Sequence, residues 1–170
     1  MNTKIAAIIL LAGASSLAAC KTTAPDDLPP EGGTYVPPDT NGSQSNQPGV
    51  GTQEHFLRGV QGQNVIFFDT DRYNIDSQDA AILQTQASYL GQNPSVTVTI
   101  EGHADERGTR DYNLALGERR ANAAKNYLVS LGIAANRITT VSYGEERPIA
   151  TASTPEAWAQ NRRAVTMVIN

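Results

Sequence analysis

The chain has 170 residues, enough for one ordinary domain with length to spare, and it carries 13 basic against 17 acidic side chains for a formal net charge of −4. That balance gives no electrostatic support for binding a polyanion, so nucleic acid is not expected as a partner. A single cysteine, Cys20, excludes an intramolecular disulfide.

The N-terminus differs in kind from the rest. Lys4 supplies a positive charge, IAAIILLAGASSL an apolar stretch, and Leu17-Ala18-Ala19-Cys20 a small-residue ending, the three parts of a secretory signal. The stretch from Ile5 to Ala19 falls short of the ~20 apolar residues that cross a bilayer. LAAC resembles the lipobox of bacterial lipoproteins, which implies cleavage after residue 19 and acylation of Cys20. Several acyl chains on one residue give lasting anchorage, where one chain binds only marginally. Lys21 stands where an aspartate often retains such lipoproteins in the inner membrane, which favours the outer membrane.

Residues 20–53 form the lipidated end and a tether. The 33 residues from Lys21 to Gln53 are dense in Pro, Gly, Ser, Asn and Asp and lack apolar periodicity. Such a composition cannot bury enough surface to offset the entropy of ordering, so a disordered spacer is expected. It would reach roughly 100 Å drawn out as polyproline II and roughly 30 Å as a flexible coil. Five of the acidic residues, Asp26, Asp27, Glu31, Asp39 and Glu54, lie in it or at its end, which leaves the remainder of the chain nearly balanced.

A folded domain is predicted over 54–170. HFLRGV suits a helical turn, and NVIFF a buried strand with Phe67 and Phe68 in the core. Residues 77–91 suit a helix capped by Ser77, with Ala81, Leu83, Ala87 and Leu90 inward and Gly91 and Pro94 ending it. VTVTI alternates as a half-buried strand. Thr109 caps the longest helix, which runs to Leu131 and stops at Gly132. ITTVSY is a strand, TPEAWAQN a short helix with Pro155 in its first turn, and RRAVTMVIN a last strand. Strands alternating with helices predict an α/β or α+β two-layer sandwich.

Four blocks, NVIFFDTDRYNI, VTIEGHADERGTRDYNLALGERRANAAKNYL, VSYGEERP and NRRAV, resemble in order those of the OmpA-like peptidoglycan-binding domain family. HADERGTRDYN with LGERRA resembles the form found in peptidoglycan-associated lipoproteins. The resemblance implies a βαβαβ-type fold with a mixed four-stranded sheet and no cofactor or catalysis. It also implies noncovalent binding of the meso-diaminopimelate of the peptidoglycan stem, a TolB-like periplasmic propeller protein as partner, and a role in the Tol-Pal system of envelope integrity and cell division. Carried onto matching positions, the ligand residues are Asp71, Asp105 and Arg120, with Thr109 at the helix start. Arg110 stands where such proteins often have proline, and adds a charge at the cleft rim.

The chemistry is coherent. Diaminopimelate ends in an ammonium and a carboxylate, so its site needs an acceptor, which Asp105 provides, and a donor fork, which a guanidinium provides. The first N–H groups of the helix after Gly108 also favour a carboxylate. Helix geometry separates two adjacent arginines. Leu114, Gly117, Ala121, Ala124, Leu128 and Leu131 share one stripe, with Arg120 on its flank and Arg119 nearly opposite, in solvent. Asp105 and Asp71 also suit turns. Asn113 suits a hydrogen bond within the fold, and Arg162 or Arg163 an ion pair with a carboxylate such as Glu101. Glu145 and Glu146 suit a solvated face, and Trp158 a half-buried place beneath the loop.

The competing class is a peptidoglycan hydrolase or metal-dependent enzyme built on His103, Asp105 and Glu106. It lacks support: the one other histidine, His55, lies at the tether boundary, and no HExxH, second carboxylate motif or nucleophile–base pair is present. For the anchor, labelled palmitate is expected to enter the wild-type protein and not Cys20→Ser. Labelling that persists in the variant removes Cys20 as the acceptor.

Overall fold

The computed structural model describes residues 48–169. The signal segment 1–19, Cys20 and the tether as far as residue 47 lie outside the described residues. Among the described residues, no helix is long and apolar enough to cross a membrane.

Two periodicities sort this part of the chain. Period-two runs give strands β1 (Val65–Phe67), β2 (Thr97–His103), β3 (Ile138–Gly144) and β4 (Arg163–Ile169), and period-3.6 runs give helices α1 (Gln53–Gly59), α2 (Ser77–Gln92), α3 (Arg110–Ser130) and α4 (Pro155–Asn161). A 3₁₀ turn over Ala135–Arg137, not expected from the sequence, leads into β3. The strands lie in the order β1-β4-β2-β3. β2 and β3 are parallel, with α3 as their crossover, and β4 inserts between β1 and β2 antiparallel to both. This is the expected mixed four-stranded α/β sheet.

The core lies between one sheet face and the helices. Ile66, Val98, Ile100, Ile138 and Ala164 from the strands meet Leu83 and Leu90 of α2 and Ala121, Ala124 and Leu128 of α3, all almost fully buried. Each fully buried aliphatic side chain contributes about 1.5–3 kcal/mol. Phe67 departs from expectation at 49 % exposed. In so short a strand, alternation turns Ile66 inward and Phe67 outward, and Phe68 joins the core after the strand ends.

Helix ends follow local chemistry. The cap of α2 is Asp76 rather than Ser77: its carboxylate accepts from the Asp79 N–H at 2.8 Å, and Ser77 is already helical. Thr109 caps α3 as expected, accepting from the Tyr112 N–H at 3.3 Å. Gly132, at φ +94°, ends α3 while the Ile133 N–H returns to the Leu128 carbonyl at 3.1 Å. Leu131 does not join the inward stripe; it is the cap residue and 40 % exposed. The buried face is instead rotated toward Asn113, Leu116 and Arg120.

That rotation has a steric cause. Gly102 of β2 and Gly117 of α3 touch backbone to backbone, so a Cβ at Gly102 would sit 1.8 Å from the Gly117 carbonyl oxygen. One at Gly117 would meet the Ser142 Oγ at 2.3 Å. Gly102→Ala must therefore push α3 off the sheet. It is expected to destabilise the domain by about 3 kcal/mol in urea unfolding, whereas Gly91→Ala, in α2 with its Cβ in open space, should stabilise it by up to about 1 kcal/mol.

Candidate functional site

Two loops at the same end of the sheet build a cleft. The first follows β1. Asp71 there sits at φ +55°, a left-handed conformation that aspartate tolerates better than most residues. Its carboxylate accepts from the Tyr112 hydroxyl at 3.1 Å. The second loop follows β2. The Asp105 carboxylate accepts from the Arg107 N–H at 3.1 Å, closing a side-chain turn, and Gly108 at φ +109° swings the chain into α3.

Between the loops lies a cleft of about 280 Å³. Asp71 and Asp105 line it together with Arg107, Arg120 and Arg162, as do Thr70, Tyr112 and Asn113. Three guanidinium groups thus share one small volume with two carboxylates. Thr109 is not among the lining side chains; its hydroxyl serves the helix cap.

Asp105 is almost fully buried and its acceptor capacity is filled. Oδ1 takes the Arg107 backbone N–H and, at 2.9 Å, the Arg107 Nε, while Oδ2 takes Arg107 Nη2 at 2.8 Å and Arg162 Nη1 at 3.3 Å. Four hydrogen bonds match the roughly four lone-pair sites of a carboxylate. Burial alone would raise its pKa, but the hydrogen bonds from Arg107 outweigh burial and hold the carboxyl below its usual range.

Arg120 differs from the flank position predicted for it. Its side chain is fully buried, and its fork donates to three backbone carbonyls: Arg72 at 2.9 Å, His103 at 2.7 Å and Asp69 at 3.0 Å. Three of its five N–H groups are thereby occupied, and the guanidinium also sits 5.2 Å from the centre of the Phe68 ring. Burial, then the neighbouring Arg162, lowers its pKa to about 10, so it stays charged at neutral pH. Arg119 is exposed as expected and lies 5.9 Å over the Tyr73 ring.

The remaining polar residues divide between fold and rim. Asn113 hydrogen-bonds inside the fold, to the Arg107 carbonyl at 3.1 Å and to Glu145. Arg110 pairs with Glu146 at 2.6 Å, which neutralises the extra rim charge. The carboxylate partner of the adjacent arginines is Asp105 rather than Glu101: Arg162 pairs with it, while Arg163 donates to the Asn161 and Arg147 carbonyls. Trp158 is half-buried and donates its Nε1–H to Glu106 at 2.9 Å.

His103, Asp105 and Glu106 do not converge. The His103 ring is buried and stacks on Tyr143 at 5.6 Å, and among the described residues neither of its nitrogens is hydrogen-bonded; Glu101 is 3.7 Å away. Glu106 is exposed and turned to Trp158, and among the described residues no group of three His, Cys, Asp or Glu side chains is placed to hold a metal ion.

Sequence reasoning missed Thr70, Arg107 and Tyr112 and placed Arg162 elsewhere. Arg107 was open to detection, since two residues beyond Asp105 in a tight bend it can reach back to the same carboxylate. Nothing in the sequence brings Arg162, 57 residues away, to that group.

Comparison with known proteins fits this geometry. The OmpA family model matches residues 67–162, which hold both loops and α3. The chain belongs to the OmpA family. Among OmpA-family relatives, the peptidoglycan-associated lipoprotein of Rhizobium meliloti strain 1021 is 52 % identical over 118 residues, covering 69 % of this chain and 66 % of the relative. That of Pasteurella multocida strain Pm70 is 46 % identical over 105 residues, covering 62 % and 70 %. This chain thus spans about two thirds of the length of the curated relatives it matches. The crystal structure of the peptidoglycan-associated lipoprotein from Burkholderia pseudomallei superposes with a TM-score of 0.64 at 38 % identity, covering 67 % of this chain and 99 % of that one. The C-terminal domain of Helicobacter pylori MotB shares the OmpA-like fold at 19 % identity, with a TM-score of 0.58 over 62 % of this chain and 84 % of that one.

The buried His103 gives this domain a pH dependence. Burial, then the charges of Arg163 and Arg147, lowers its pKa from 6.5 to about 4. The unfolded chain therefore binds the proton first, and stability is fully present above pH 6.5 and falls as the pH drops toward 4. The loss is on the order of 3 kcal/mol. His103→Phe is expected to flatten the slope of unfolding free energy in that window; a slope unchanged in the variant assigns it to other groups.

Proposed function

We propose that this protein is an outer-membrane lipoprotein whose folded domain grips the peptide stem of peptidoglycan without covalent bonds. The observation that carries this reading is the cleft, where two carboxylates and three guanidinium groups meet at the start of α3. The free end of a diaminopimelate side chain carries one ammonium and one carboxylate, and few other cell-wall groups match both signs within so small a volume. Asp71 is the more accessible acceptor for the ammonium, and the arginine side chains supply the donors for the carboxylate. Relatives bearing the name peptidoglycan-associated lipoprotein support the ligand class and the lipid anchor. Cys20 would carry the lipid, the tether would set the reach, and the domain would work in the periplasm. A TolB-like propeller protein as partner within a Tol-Pal system, with a role in envelope integrity and cell division, follows from the same kinship. The function is binding and not catalysis, since the cluster that would carry chemistry is dispersed.

Calorimetry at fixed salt tests this. A stem peptide ending in diaminopimelate is expected to bind, and one with lysine at that position, which lacks the second carboxylate, to bind weaker by about 2 kcal/mol or more. Asp71→Asn, which tolerates the same backbone conformation, should weaken binding by about 1–2 kcal/mol without lowering the melting temperature. Arg119→Leu should change it by less than about 0.5 kcal/mol. Arg120→Leu should lower stability as well as binding, because three hydrogen bonds to backbone carbonyls are lost. Equal affinity for the two peptides would refute the diaminopimelate assignment, and release of muropeptides from purified sacculi would refute the non-catalytic one.

A further inference from the structure

Arg107 is the least buried of the three cleft arginines, with 41 % of its side chain exposed, yet it is held on every side. Nε and Nη2 grip Asp105, and Nη2 also donates to the Thr70 hydroxyl at 3.2 Å across the cleft. Among the described residues Nη1 has no hydrogen-bond partner, so its two N–H groups are open to a ligand. An exposed arginine ordinarily samples many rotamers, and holding one costs conformational entropy.

What backs it is α4. The Arg107 guanidinium carbon lies 4.3 Å from the centre of the Trp158 ring. The ring is itself fixed at its edge, where Nε1–H donates to Glu106 at 2.9 Å. Glu106 is the residue between Asp105 and Arg107, so one short loop supplies the acidic clasp for the indole and the cation that stacks on its face. Helix α4 is in turn set by the Thr154 cap and by Asn161, whose amide joins the Ile149 and Ala150 N–H groups and the Ala150 carbonyl.

We propose that Trp158 is a positioning residue for the cleft, holding the Arg107 guanidinium so that its free Nη1 edge faces the ligand carboxylate. This rests on the peptidoglycan-stem reading above. The contact removes rotamers that Asp105 alone would permit, since a carboxylate can be gripped end-on or side-on while the ring keeps the guanidinium carbon over its face. Trp158 is the only tryptophan in the chain, so its emission reports on this contact directly.

The test uses the full-length protein and the diaminopimelate stem peptide. Trp158→Leu is expected to weaken binding about three- to fivefold, and Trp158→Phe, which keeps a ring face, to restore most of it. In an Arg107→Gln background, Trp158→Leu should change affinity by less than about 1.5-fold, because the residue it acts through is gone. Arg107→Gln alone should shift the emission of the unliganded protein, a readout that needs no ligand and no change at Trp158. The proposal is overturned if Trp158→Leu binds like wild type, if its penalty is the same with and without Arg107, or if Arg107→Gln leaves the emission unchanged. Failure of the wild type to bind the peptide overturns the functional reading and this proposal with it, whereas wild-type binding with any of those three results overturns this proposal alone.

Discussion

The Arg120 guanidinium is the contact on which the site depends. It is a charge taken fully out of water, and the cost of doing so is several kcal/mol before partners are counted. Those partners are the carbonyls of Asp69 and Arg72 in one loop and of His103 at the end of β2. The first loop satisfies only part of its own backbone, the Asp69 carbonyl also accepting from the Arg72 N–H at 3.2 Å, so a further donor ties it down. One side chain from α3 supplies it to that loop and to the end of β2, and thereby sets how far apart Asp71 and Asp105 stand. Binding geometry and folding are coupled here because the same cation serves both.

Arg120 can reach those carbonyls only because α3 lies so close to the sheet. Gly102 and Gly117 remove the two Cβ atoms that would keep helix and strand apart, and the helix settles with its Asn113–Arg120 side inward. A helix one Cβ higher would leave the arginine short of the loops. The polar end of the buried stripe thus follows from the small-residue contact in its middle. Asp105 completes the arrangement by holding Arg107, from the middle of the domain sequence, and Arg162, from near its end, on one carboxylate.

Much of this was legible in the chain. Apolar runs, alternation, 3.6-residue periodicity and end signals located the four strands and four helices of the described residues, because side-chain type records which face of a segment is dry and where it stops. Thr109, Pro155 and Gly132 marked helix ends by chemistry that needs no tertiary partner. Ser77 was expected to cap α2 and Asp76 does so, since both residue types cap well and local chemistry does not separate neighbours. Phe67 was misplaced because hydrophobicity names a residue's preference and not the face of a three-residue strand.

The sequence by itself determined the elements, the family, and the carboxylate and guanidinium groups near the cleft, since these depend on residue type and short spacing. Only the tertiary structure decided which cation meets which acceptor. Arg120 turned from a flank to the interior, Arg162 met Asp105 from the neighbouring strand end, and Trp158 came to lie against Arg107. Each of those contacts joins residues 17 to 57 positions apart. The physical reason is that a charged side chain satisfies its donors with whatever acceptor folding brings near, and sequence spacing beyond one helical turn carries no record of that distance.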